Sequence, residues 1–326
     1  MTKRVPALVL CMLAAPVWAG SKAGQKQLAA RLEAQDAVDA ILKGEGNLNA
    51  TLSRVQYLGQ EGNVCFELNE VARRSGDDQQ TRRIAQALAT LAHPNGEPGL
   101  VWMLGHEDSV VRMYAAQGLG RMKSQNAGAR VQALLGDKSL GVRKEAAKAL
   151  GLMRYAKAGG ALMKAAKVEG EIDVRAEMLV AVGAVGDKKQ AAGLESFLDD
   201  SSESARFAAA QGLCLLGNKK GFDFAKKKLA SADRYERIDG LKLFEGARAK
   251  DVSSVLAPMV EDKDRAVAAM AARILYQGGD AKMLDWLVLK SFQSNGDEKL
   301  AYEKELELLR LADDQRKSIL AKAGIK

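Results

Sequence analysis

The chain has 326 residues and a formal net charge of +8. Three cysteines cannot frame a disulfide-built fold, and aromatic residues at 5% leave a nucleic-acid surface short of stacking platforms. Beyond the N-terminus no stretch is apolar enough to cross a bilayer.

Residues 1–19 read as a signal peptide. Lys3 and Arg4 form a positive start, and the apolar run Val5 to Val17 falls short of the roughly 20 residues a spanning helix needs. Val17-Trp18-Ala19 then places small residues where a signal peptidase reads them, with cleavage before Gly20. Loss of Lys3 and Arg4 would take the charge from +8 to +6 and leave Cys65 and Cys214 as the remaining thiols. These lie several repeats apart, too far for a disulfide when neighbouring helices sit roughly 8–10 Å from each other. Cys214 shares a column with Gly120, Gly151 and Gly183, which predicts a small buried thiol at a helix contact.

Residues 20–77 are expected to form an N-terminal helical cap and a degenerate repeat. Gln25 to Lys43 is amphipathic and helical, and Asn49 to Gly59 with Asn63 to Arg74 form a helical pair. Residues 78–292 carry a regular array. An arginine recurs at Arg112, Arg143, Arg175, Arg206 and Arg237, in steps of 31, 32, 31 and 31. The same step reaches back to Thr81 and forward to Ala268. Pro94 and Pro98 fall in a turn between helices. Residues 293–326 close the array as a C-terminal helical cap, with helices over Asp297 to Ala312 and Asp314 to Ala323.

Each repeat reads as two helices. In the clearest copy, Val142, Ala146, Ala149, Leu150 and Met153 share one helical face, and abundant alanine allows close helix approach. A second helix follows, such as Gly159 to Ala166 or Lys188 to Leu198, and short acidic loops supply Asp and Ser as N-caps. A period of about 31 residues with helix-only content predicts an all-α solenoid of stacked helix pairs.

The pattern of an acidic loop followed by Val142-Arg143-Lys144-Glu145-Ala146-Ala147-Lys148-Ala149-Leu150-Gly151 resembles the HEAT repeat, in particular the short bacterial form named after phycobilisome lyases. The resemblance covers roughly residues 78 to 292. It implies a right-handed α-solenoid and a structural ladder in which an acidic residue meets the arginine; the row reads as arginines bonded to nearby acids or loop carbonyls, and its other reading is a polyanion-binding stripe. The matching pairs are Asp137 with Arg143, Glu169 with Arg175 and Asp200 with Arg206, while Asp108 and Asp233 precede Arg112 and Arg237 by four residues. It also implies that the second helices line the concave side.

Residues for chemistry are sparse. His93 and His106 sit in turns, and His106-Glu107-Asp108 is poorly placed to converge on one metal. There is no phosphate loop, no His-Glu-x-x-His motif and no nucleophile elbow, so no cofactor is expected. Trp102 and Trp286 lie in apolar runs and read as core.

The remaining constellation is basic. Lys164, Lys167, Lys188, Lys189, Lys219, Lys220, Lys226, Lys227 and Lys250, with Lys228, fall in or beside the second helices. They read either as a solvated lysine face or as a basic inner surface for an acidic protein partner or an anionic envelope polymer, with salt-sensitive affinity. The sequence therefore points to an exported, periplasmic or secreted scaffold without catalysis. The alternative is an enzyme accessory, lyase-like or chaperone-like, as the resemblance implies. Export and scarce aromatics disfavour nucleic acid.

Overall fold

A computed structural model describes residues 22–74 and 76–325, and the segment read as an export signal lies outside them. Among the described residues there are nineteen α-helices, short 3-10 turns and no strand. No helix among them is long and apolar enough to cross a membrane. The chain divides into two compact units at Leu134 and Leu135, inside the stretch that the sequence presents as one continuous array.

The first unit begins with α1 (Lys22–Lys43), whose Ala34, Val38 and Ile41 are buried against α2 (Leu48–Tyr57), α3 (Glu61–Ala72) and α4 (Asp78–Leu91). The C-terminal carbonyls of α1 are closed from α4. Arg83 donates to Ile41 O and Leu42 O, both at 3.0 Å, and Gln80 Nε2 donates to Leu42 O at 3.1 Å. Those carbonyls have no partner within their own helix, so this contact fixes α1 as the cover of the first repeat. The unit continues with α5 (Glu97–Met103), α6 (Ser109–Arg121) and α7 (Gly128–Ala133). Pro98 stands in the first turn of α5, not in a turn outside it; its missing N–H costs nothing there. Trp102, expected in the core, is 42% exposed and meets His106 edge to face at 5.9 Å. The short α5 buries Leu100 and Met103 instead, so its apolar face is complete without the indole.

The second unit holds α8 (Leu140–Met153), α9 (Gly159–Val168), α10 (Ile172–Ala184), α11 (Ala191–Glu195), α12 (Glu203–Leu215), α13 (Lys219–Leu229), α14 (Arg234–Lys242), α15 (Ala249–Leu256) and α16 (Arg265–Gln277), closed by α17 (Lys282–Gln293), α18 (Gly296–Leu309) and α19 (Asp313–Lys322). On α8 the residues Val142, Ala146, Ala149, Leu150 and Met153 are all buried, the face expected from their spacing. Loop acids and a serine cap the helices that follow them. Asp233 accepts from Tyr235 N at 2.7 Å, Asp264 from Ala266 N at 2.9 Å, and Ser202 from Ala205 N at 3.4 Å.

Small residues set the helix spacing. α10 packs tightly on both α8 and α12. A methyl group on Gly183 would stand 2.2 Å from Gly212 O, so the backbones of α10 and α12 touch directly. α12 and α14 part by comparison, and one link between them is Gln211 Nε2 to Lys242 O at 3.5 Å. At the far end Arg273 is buried and ion-paired to Glu305 and, at 2.9 Å, to Glu245. Trp286 is half-buried, edge-on to Tyr302 at 5.8 Å.

Candidate functional site

The arginine column builds the stack, by a pairing that differs from the one the resemblance implied. At Arg143, Arg206 and Arg237 the residue six positions before, an acid at the first two and Ser231 at the third, offers its backbone carbonyl. Arg143 Nη1 donates to Asp137 O at 3.0 Å, Arg206 Nη1 to Asp200 O at 2.7 Å, and Arg237 Nη1 to Ser231 O at 3.0 Å. The carboxylate partner comes from the following loop, 25 or 26 residues on. Arg143 holds Glu169 with two parallel bonds of 2.7 and 3.0 Å, and Arg237 holds Asp262 with bonds of 2.9 and 3.0 Å. In the first unit Arg82 pairs with Asp108 in the same relation.

The physical reason is reach. The carboxylates bend back onto their own loops, Asp137 Oδ1 accepting from Ser139 N at 2.8 Å and Asp200 Oδ1 from Ser202 N at 2.8 Å. Arg143 and Arg237 thus tie their own loops to the next one. Rungs differ in quality. Arg175 meets Asp200 only at 3.7 Å, and among the described residues its buried Nε has no partner and Arg206 has no carboxylate within ion-pair distance. The arginines lie at the helix starts, largely enclosed, with Arg112 and Arg237 buried outright.

A groove of about 820 Å³ opens along the arginine-bearing helices of the second unit. Its walls are Lys144 of α8, Asp173, Glu177 and Val180 of α10, Glu203, Phe207 and Gln211 of α12, and Asp239 with Lys242 of α14. Lys242 is already paired with Asp239 at 2.8 Å. Asp173, Glu177 and Glu203 have no ion-pair partner among the described residues, which leaves carboxylates in excess. Burial raises the Glu177 carboxyl above its ordinary pKa, Lys148 and Lys144 oppose that, and Glu145 adds to it. Beside the groove, and sharing Lys144 and Asp173 with it, lies a recess of about 370 Å³ that also includes Leu140, Ile172 and Val174. Leu140 is 56% exposed and Ile172 50%.

None of the nine candidate lysines lines this groove. Lys164 and Lys167 lie on α9, Lys188 and Lys189 in the 3-10 turn before α11, Lys219, Lys220, Lys226 and Lys227 on α13, and Lys250 on α15. All nine are exposed. Lys219 pairs with Asp223 at 2.6 Å and Lys220 with Glu195 at 2.7 Å, while the other seven have no ion pair among the described residues. Half-buried Lys228 points elsewhere and pairs with Glu236 at 2.7 Å. The groove of this unit therefore lies on the arginine-bearing helices and not on the helices that carry the candidate lysines. Backbone contact draws the arginine-bearing helices together, and the groove forms on them.

Histidines and thiols stay outside the groove. His93 and His106 accept from the N–H two residues on, in turns of the first unit. Both cysteines are free and buried; burial pushes the Cys65 thiol up to about 12 and raises Cys214 too, which makes them poor nucleophiles. Among the described residues no group of three or more His, Cys, Asp or Glu is arranged to hold a metal.

A profile of HEAT repeats matches residues 67–140 and 127–214. Residues 67–214 therefore carry HEAT repeats. Its fold is shared by the solved complex of CpcE and CpcF of phycocyanin lyase from Nostoc sp. PCC7120, at 18% identity and a TM-score of 0.53, covering 76% of this chain and 94% of that one. An engineered protein is similar at 18% identity over 90% of this chain and 87% of its own, with a TM-score of 0.44. Human deoxyhypusine hydroxylase in complex with glycerol follows at 16% identity, 76% and 96% coverage and a TM-score of 0.34. No curated protein matches the sequence. At these identities the likenesses speak to the fold alone.

The HEAT register also shows which groove residues the sequence reading missed. Two positions after the ladder arginine, the copies carry Glu145, Glu177, Ala208 and Asp239. Three carboxylates in one column of a small, alanine-rich helix were the available signal. In the sequence the lysines carry the reading of a binding surface, so this column goes unused.

Proposed function

We propose that this HEAT-repeat protein is an exported, non-catalytic scaffold that binds a partner protein. The observation that carries the reading is the groove of the second unit, about 820 Å³ and open along its length, with a half-buried carboxylate and an exposed apolar rim. Such surfaces gather many weak contacts at fixed spacing, which suits an extended partner better than a small substrate. The amino-terminal pattern of Lys3, Arg4 and the apolar run to Val17 supports export. A second reading keeps the lysine surface of α9, α13 and α15 as the contact, for an acidic protein or an anionic envelope polymer. It rests on the seven exposed lysines that have no ion pair among the described residues. The lyase-accessory reading has only the shared fold behind it.

The test is purification of the tagged protein from its own cells, N-terminal sequencing, and elution of retained material in rising salt. The scaffold reading expects Gly20 as the first residue and a discrete protein set. Retention of polymer alone would favour the lysine surface. An intact Met1 would refute export, and nothing retained would refute the scaffold.

A further inference from the structure

The groove and the recess beside it form one surface with two chemistries. At one end Leu140 and Ile172, the first residues of α8 and α10, stand about half exposed around a recess floored by buried Val174. Soluble surfaces expose single apolar side chains freely, but two that line one recess beside a charged groove mark a contact site. From there the groove runs past Glu177 and Glu203. Asp173 and Glu203 lie in first helical turns, where a carboxylate is favoured in any case. Glu177 has no such reason. It sits mid-helix, half-buried, with its charge incompletely compensated by Lys144 and Lys148. A cation arriving from a partner would recover the solvation that this carboxylate has lost.

We propose that this surface docks an extended segment of a partner protein that carries one large apolar side chain and, about three residues from it, arginine or lysine. The spacing follows from the stack. Neighbouring helices sit roughly 8–10 Å apart, and an extended chain advances about 3.3 Å per residue. An apolar side chain seated between α8 and α10 therefore places the cation at Glu177 and Glu203, with a second cation one helix further on. Crossing from α8 to α14 takes at least about nine residues, since α12 and α14 stand further apart than the other pairs. The inference deepens the scaffold reading and rests on it. It also reverses the charge of the partner that the lysines alone suggest, since those lysines lie on other helices.

The probe is a fluorescein-labelled nonapeptide of Gly and Ser with one Leu and two Arg, three and six residues on. Controls replace both Arg by Glu, or Leu by Ser. Anisotropy is measured with the full chain at about 25 mM and about 300 mM salt. The Leu–Arg peptide is expected to bind, to weaken with salt, and to exceed both controls. Glu203→Arg with Glu177→Gln should weaken it at least about 10-fold, a loss equivalent to about 1.4 kcal/mol. Ile172→Ser should weaken it too. Lys226→Glu with Lys227→Glu should leave it unchanged, and all variants should keep the parent's melting temperature within a few degrees. No binding up to about 1 mM, equal binding of the Glu peptide, or indifference to the groove variants would overturn the proposal. If cells yield a discrete partner that this peptide does not displace, the scaffold stands and the cationic segment falls. If no partner is retained, the scaffold reading itself falls.

Discussion

Removing the Arg143 guanidinium gives the sharpest check on the ladder. In the folded protein it holds Glu169 by two bonds, 2.7 and 3.0 Å, and reaches Asp137 O at 3.0 Å. The Glu169 side chain is only 6% exposed and that of Arg143 19%. Deleting one member of a buried pair typically costs about 3–5 kcal/mol, because the survivor keeps its charge without compensation. Two features reduce that figure here. Arg143 is one-fifth exposed, and Glu169 retains a bond from Glu171 N at 3.1 Å. Arg143→Ala should therefore cost about 2–3 kcal/mol, a fall in Tm of about 5–10 °C for a unit of this size. Arg206→Ala is the internal control. Arg206 holds Asp200 O and Ser201 O, but the positions that would supply its carboxylate are Ser231 and Ala232. It should cost no more than about 1.5 kcal/mol. Urea unfolding of both variants, with a double-mutant cycle through Glu169→Ala, measures the difference. Equal losses for Arg143 and Arg206, or a coupling near zero between Arg143 and Glu169, would refute the inter-repeat ladder.

Gly183→Ala should destabilise by about 3 kcal/mol, since the new methyl group has a backbone oxygen 2.2 Å away; Gly151→Ala, whose nearest neighbour would be the Ala184 methyl at 3.3 Å, should stay within about 1 kcal/mol of the parent, and thermal melts decide both. Leu150→Asp places a charge in a fully buried seam and should cost about 4 kcal/mol or prevent folding; an unchanged melting temperature would contradict the register. The two glutamates give opposite pH signatures. Arg143 lowers the Glu169 carboxyl, so its contribution is complete above the unfolded value of about 4.5 and is lost as pH falls through the folded value; Glu169→Gln should lower stability at pH 7 and flatten the acid limb of a pH–stability curve. Burial raises Glu177, so its contribution is complete below the unfolded value and is lost as pH rises through the folded one; Glu177→Gln should raise stability at pH 7, and a loss there would mean that the carboxylate has a partner in the folded protein.

The sequence by itself determined the repeat, its period and the buried face of its clearest arginine-bearing helix. These follow from local rules: a helix that spaces apolar residues at Val142, Ala146, Ala149, Leu150 and Met153 has one face to bury, and a loop that ends in Asp233 or Asp264 has a cap to offer. Cys214 was legible in the same way, as a small side chain in a column of glycines. Only the tertiary structure decided which side of the stack is the groove and which carboxylate each arginine holds. Both depend on distances between repeats, and sequence spacing does not encode these. Asp137 and Arg143 are six residues apart, but the acid folds back onto Ser139 N while Arg143 reaches across to Glu169. The lysines of α9, α13 and α15 are as conspicuous in the sequence as any charges in the chain. They stand outside the groove because contacts such as Gly183 on Gly212 draw the other set of helices together, and Glu177, with no ion pair among the described residues, is left to line it.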